Sequence, residues 1–165
     1  MDETVNGTVV VDFVAAPVTR PLRLEVLRPH RGAQAAVYPG DDDPRAGHVA
    51  ATEAGTVLAV GSVLPEAPAW APEGWRVRGM ATRREHRGRG LGTRVLDLLL
   101  GHAAAGGGGI VWCNARTSAL GLYRRAGFEG RGEVFEVPEI GPHLVMWRTM
   151  AATGGAPSPP AATPP

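Results

Sequence analysis

The chain has no lysine; its 17 basic residues, histidine aside, are all arginine. That fits a Gly-, Ala-, Pro- and Arg-rich composition rather than selection for one site, and it excludes modification of a lysine of its own. Cysteine occurs once, as Cys113. A single cysteine excludes an internal disulfide and a Cys-rich zinc site. No metal site is expected. Cys113 lies in an apolar run, where a buried core residue is the expected reading. Excess charge is missing too: the formal net charge is +1. The protein as a whole therefore does not advertise a nucleic-acid or membrane partner. No basic-then-apolar leader opens the chain, and no apolar stretch is long enough to span a bilayer. A soluble cytoplasmic protein is expected. No internal repeat is found, and 165 residues suit one domain.

What is present centres on residues 87 to 92, Arg-Gly-Arg-Gly-Leu-Gly. Alternate glycines leave backbone N–H groups unshielded. A helix starting there points its unpaired N–H groups and positive dipole end into the same loop. Such a corner suits a phosphate or pyrophosphate. By itself it has several owners. It lacks the third glycine of the dinucleotide fingerprint and the Gly-Lys-Ser/Thr of a Walker loop. Arg83, Arg84, His86, Arg87, Arg89 and Arg94 also read as a nucleic-acid patch, and ordinary turn glycines remain a plain alternative.

The flanking pattern adds order. Trp75 to Thr82 alternates apolar residues with arginines, the period of a strand. Leu91, Val95, Leu98 and Leu99 fall at helical spacing, so Leu91 to about Ala105 predicts an amphipathic helix. Gly106 to Gly109 end it. Ile110 to Cys113 reads as a buried strand, and Ser118 to Arg125 as a second helix capped by Thr117 or Ser118. The result is a βαβ unit with an anion loop at the carboxyl end of a strand, where α/β sheets place ligands.

Elsewhere, Val9 to Val14 predicts a strand and Thr19 to Leu27 a short helix, with Thr19 as cap and Pro21 in its first turn. Asp41, Asp42 and Asp43 fall in a polar turn. His48 to Thr52 and Thr56 to Leu64 predict a hairpin around Glu53-Ala54-Gly55. Pro65 to Gly74 is a loop. Glu133 to Val137 and Leu144 to Trp147 predict a closing strand pair. From about Ala151 only Ala, Thr, Gly, Ser and Pro occur. Residues 1–150 are expected to form the domain and 151–165 a disordered tail.

Two segments together carry a resemblance. Arg87-Gly88-Arg89-Gly90-Leu91-Gly92 is similar to the acetyl-CoA loop of the GCN5-related N-acetyltransferases, the GNAT superfamily. Leu122-Tyr123-Arg124-Arg125-Ala126-Gly127-Phe128-Glu129 resembles that superfamily's Tyr-x-x-x-Gly-Phe signature. The likeness is strongest from Trp75 to Glu129. It implies the GNAT fold, an α/β mixed sheet of six to seven strands flanked by helices. It implies direct acetyl transfer from acetyl-CoA to a primary amine of a small molecule or protein, by a monomer or homodimer. An acyl-CoA sensor with little turnover is the alternative. One departure is visible: a single convincing helix, not two, lies between the first two strands, where the acceptor pocket is usually shaped.

The resemblance also implies site residues. Arg87, Gly88, Arg89, Gly90, Leu91, Gly92 and Thr93 would hold the pyrophosphate. Met80, Ala81 and Thr82 would bond the pantetheine arm. Tyr123 would be the general acid; a phenol titrates near pH ~10 and so holds its proton at neutrality. Asn114 would reach the pantetheine, although the family's asparagine falls nearer the tyrosine, where this chain has Arg116. For the base, His143 and Glu73 are the candidates, with Glu66 beside the latter. Asp41 to Asp43 suggest a funnel for a cationic amine, and Trp70, Trp75 and Trp147 suggest pocket walls.

Overall fold

The structure, a computed structural model, describes residues 7–153. One seven-stranded mixed sheet organises it, in the order β1-β2-β3-β4-β5-β7-β6. The strands are β1 Val9–Phe13, β2 Gly47–Glu53, β3 Thr56–Pro65, β4 Trp75–Thr82, β5 Gly109–Arg116, β6 Glu129–Val137 and β7 Gly141–Met150. Helices α1 Ala16–Leu27, α2 Leu91–Ala105 and α3 Leu120–Arg125 complete it. All strand pairs are antiparallel except β4 with β5. This is the architecture that the resemblance implies. The expected tail lies outside the described residues beyond Thr153. No described helix is long and apolar enough to cross a membrane.

Alternation along the strands divides the core. Val49, Ala51, Ala59, Val63 and Val77 pack with Val95, Leu96 and Leu99 of α2. The intervening Ala50, Val60 and Ala81 pack with Leu22 of α1. Each central strand is thus apolar on both faces, the consequence of helices covering both sides.

Three local expectations are corrected. First, α1 begins at Ala16, after extended Ala15, and Pro17 takes the tolerated first-turn place. Thr19 is not the cap: it is fully buried within the helix, its hydroxyl donating to the Ala16 carbonyl at 2.7 Å. Pro21 consequently lies inside the helix rather than in its first turn. Second, neither Thr117 nor Ser118 caps α3 with its side chain; a single 3-10 turn, Thr117–Ala119, leads in. Third, the closing hairpin is longer than predicted, because a bulge between Arg131 and Phe135 hides its period. As expected, one α-helix lies between β1 and β2; only a 3-10 turn, Ala33–Ala36, follows it.

Two irregularities position the site. On β4 the register against β3 slips by one residue: Val60 faces Ala81, yet Ser62 faces Arg78. The extra residue is accommodated at Gly79, φ +65. The bulge resets the alternation, so Met80 lies against Gly61 and Leu99 while Ala81 stays on the α1 face. In addition, β4 and β5 pair only at Trp75 with Val111 and Arg76 with Trp112. Beyond Arg76 no pairing joins them, and their carboxyl ends bound a cleft.

Candidate active site

The cleft has a volume of about 770 Å³. Met80, Ala81 and Thr82 of β4 line one wall, Asn114, Ala115 and Arg116 of β5 the other. At one end lie Arg87, Gly88 and Gly92, and beside them Leu122, Tyr123 and Arg125 of α3. The opposite end is formed by Arg28, Tyr38, Ile140 and His143.

The first end has the features of an anion seat. Gly90 precedes α2 in the left-handed region, φ +74, with no side chain capping the helix. Gly88, φ +79, shares that region, and a Cβ on either glycine would meet only open space. The first N–H groups of α2 are therefore unmasked, and the helix dipole adds to them. The Arg87 Nε reaches back to the Thr82 carbonyl at 3.4 Å, joining the loop to the end of β4.

Of the loop residues expected at the ligand, Arg87, Gly88 and Gly92 line the cleft. Arg89 turns to Glu53, at 3.1 Å, and to His86, at 2.8 Å. Leu91 is buried in the core under α2, and Thr93 is exposed on the first turn. For these two, and for Gly90, only the backbone is at the corner.

Tyr123 lines the cleft yet is only 5% exposed. Its ring meets Phe128 edge-on, centroids 5.5 Å apart, which explains the spacing of the two aromatics across the α3 C-terminus. Its hydroxyl faces the Cys113 thiol. Burial, with Cys113 adding to it, pushes the phenol well above its ordinary range. Burial likewise pushes the Cys113 thiol up to about 12. Both groups hold their protons at neutral pH.

Among the candidate bases, His143 alone reaches the cleft. It is 7% exposed, and its Nδ1 is 2.8 Å from the Gly141 carbonyl. A carbonyl can only accept, so Nδ1 carries a proton, and in the neutral ring the lone pair is then on Nε2. Glu73 is not at the cleft. It lines a separate recess with Trp75, His102 and Gly106, because the loop before β4 runs to the opposite end of that strand. Glu66 borders the same recess and pairs with Arg76 at 2.7 Å.

None of the acidic-turn residues, Asp41, Asp42 and Asp43, lines the cleft. Asp41 is 5% exposed and takes two hydrogen bonds from the Arg23 guanidinium, at 2.7 and 3.1 Å. Asp43 pairs with Arg45. Nor do the tryptophans wall the cleft. Trp70 stands edge-on to Trp112 and Trp147, and Trp75 packs under Gly106. Sequence reasoning missed Tyr38 and Arg78 at the cleft, and reached Arg116 only as the residue at the spacing of the family's asparagine. The arginine alternation in β4 was the available signal for Arg78; Tyr38 enters from an irregular loop and carries none.

Comparisons with known proteins bear on the family and the fold. Residues 18–128 match the model of the family described as Acetyltransferase (GNAT) family. The chain is 31% identical over 142 residues to the Bacillus subtilis (strain 168) protein named uncharacterized N-acetyltransferase YitI, covering 85% of this chain and 95% of that one. Escherichia coli ElaA has a similar fold, with a TM-score of 0.70 at 16% identity over 86% of this chain and 99% of that one. An aminoglycoside 6'-N-acetyltransferase complexed with coenzyme A gives 0.63 at 16% identity, over 85% and 96%.

Proposed function

The chain belongs to the acetyltransferase (GNAT) family, and on that premise we propose that it transfers an acetyl group from acetyl-CoA directly to a primary amine. The observation that carries this reading is the meeting of the β4–β5 opening with the uncapped N-terminus of α2. A CoA ester has an extended arm and a pyrophosphate, and the cleft suits both. Unpaired strand edges suit the amide-bearing arm. The open glycine corner with Arg87 and Arg125 suits the phosphates.

The thioester supplies an activated acetyl carbon. The chain's residues supply position and protons. The amine, held neutral, forms the new C–N bond as the C–S bond breaks. His143 Nε2 is the group that takes the amine's surplus proton, directly or through water. Tyr123 holds a proton at its hydroxyl and donates it to the departing thiolate. A backbone N–H at the β4 bulge, near Met80 and Ala81, suits the oxyanion. Cys113 has no part as a nucleophile, since its thiol is buried and protonated.

Titration calorimetry with CoA and thiol release with acetyl-CoA test the reading. An Arg87→Ala, Gly90→Ala double variant is expected to weaken CoA binding about tenfold or more, by loss of a charge-assisted contact and of the open corner. Unchanged CoA affinity would refute the phosphate seat. Tight CoA binding with no thiol release on a broad amine panel would instead favour an acyl-CoA sensor.

A further inference from the structure

The far end of the cleft has a charge pattern that the acetyl donor does not account for. Among the described residues, six arginines line the whole cleft, Arg28, Arg76, Arg78, Arg87, Arg116 and Arg125, and no Asp or Glu does. Arg87 and Arg125 belong to the anion seat at the α2 end. Arg76 is engaged by Glu66. Arg28, Arg78 and Arg116 remain, and among the described residues none of the three has an ion-pair partner within 4.0 Å.

Two of the three, Arg78 and Arg116, are fixed in place by their neighbours. Arg78 lies over the Tyr38 ring, 4.4 Å from its centroid. The other guanidinium at that ring is the buried Arg23, 4.2 Å away and locked to Asp41. Tyr38 is therefore a fixed shelf. Arg116 donates to the Leu27 carbonyl at 3.2 Å, at the end of α1, and its cross-strand partner is His143. Burial is the main influence on both Arg78 and Arg116, and neighbouring arginines act in the same direction. Half-buried cations crowded by like charge gain from an anion and repel a further cation.

We infer that the acceptor is a small primary amine that also carries an oxyanion, carboxylate or phosphate, bound by Arg78 and Arg116. The inference rests on the acetyl-transfer reading and deepens it. It also argues against polycationic acceptors, because among the described residues no acid lines the cleft to attract them. A guanidinium binds either oxyanion with two parallel hydrogen bonds, so both sources share one chemistry.

The test compares, at saturating acetyl-CoA, a set of α-amino acids, the corresponding amino-acid amides, phosphoethanolamine and spermidine. The amides have a less basic amine, more of it neutral, and would be favoured if the anion counted for nothing. The expected result is a kcat/KM for the best acid about tenfold or more above that of its amide and of spermidine, the scale of one charge-assisted contact. Phosphoethanolamine against the amino acids tells phosphate from carboxylate. Arg78→Gln and, separately, Arg116→Gln are expected to lower kcat/KM for the anionic acceptor about tenfold with little change for the amide. Their CoA affinity should be that of the parent. Preference for the amide or for spermidine overturns the inference, as does CoA binding without turnover on any anionic amine. Failure to bind CoA at all is a different result, and it removes the transfer reading itself.

Discussion

Tyr123 and Cys113 face one another across the α3–β5 contact, and burial has the same effect on both protons. For Tyr123 the raised pKa means that the phenol stays neutral through and beyond the usual range near pH ~10. Ionisation of this tyrosine should therefore not limit turnover anywhere between neutrality and that pH. Replacing it by Phe keeps the ring against Phe128 and removes only the donor. Tyr123→Phe should lower kcat about 100-fold or more, the usual scale for a general acid. CoA affinity, read by calorimetry, should be little changed. A variant with the parent kcat would rule Tyr123 out as the acid. For Cys113, a thiol raised to about 12 is almost wholly protonated at pH 8. The native protein should resist iodoacetamide at that pH and react once unfolded in urea. Rapid labelling of the folded chain would contradict the packing described for β5.

At the scale of elements, legibility followed locality. The α2 N-terminus is readable because its glycines and the helical period behind them are adjacent in sequence. Tyr123 and Phe128 are readable for the same reason, lying within one helix turn and its stop. The β4 bulge is not readable. Gly79 stands among alternating arginines and looks like an ordinary strand residue. Its meaning depends on Arg23 and Tyr38, which arrive from other elements. A Cβ at Gly79 would lie 2.8 Å from Arg23 Nε and 3.1 Å from Tyr38, on a backbone at φ +65. Left-handed strain and overpacking act together there, each costing roughly 1 to 3 kcal/mol. Gly79→Ala should thus lower the unfolding free energy by about 2 kcal/mol or more in urea titrations. Because the bulge directs Met80 to one face and Ala81 to the other, the same variant should also weaken CoA binding. A Gly79→Ala protein with parental stability and CoA affinity would show that the bulge has no such role.

Across the whole molecule, one buried polar network links elements that share no sequence proximity. Arg23 of α1 binds Asp41, the Ala36 carbonyl and the Ser62 hydroxyl of β3. His48 of β2 meets Ser62 at 2.6 Å and the Asp41 carbonyl at 3.0 Å. From sequence, Asp41 is one of three acids in a polar turn, and nothing local distinguishes it from Asp42. Only the closed fold, with Arg23 fully buried behind it, makes it a structural anion. Burial alone would raise the Asp41 pKa. Hydrogen bonds from Arg23 and the Tyr38 N–H, with the Arg23 and His48 charges, outweigh that and leave it lowered. A carboxylate whose folded pKa is depressed stabilises the fold above its unfolded value of about 4. That contribution declines as pH falls below about 4 and is gone below the folded pKa. Breaking a buried pair from one side costs about 3 to 5 kcal/mol, because the partner charge is left unpaired. Asp41→Asn should accordingly lose stability of that order at pH 7. Between pH 5 and pH 2 it should lose less further stability than the parent, since its own titrating group is absent. Urea titrations of both proteins at the two ends of that window measure the difference. Equal acid losses in the two would mean that other carboxylates, not Asp41, carry the acid sensitivity of the fold.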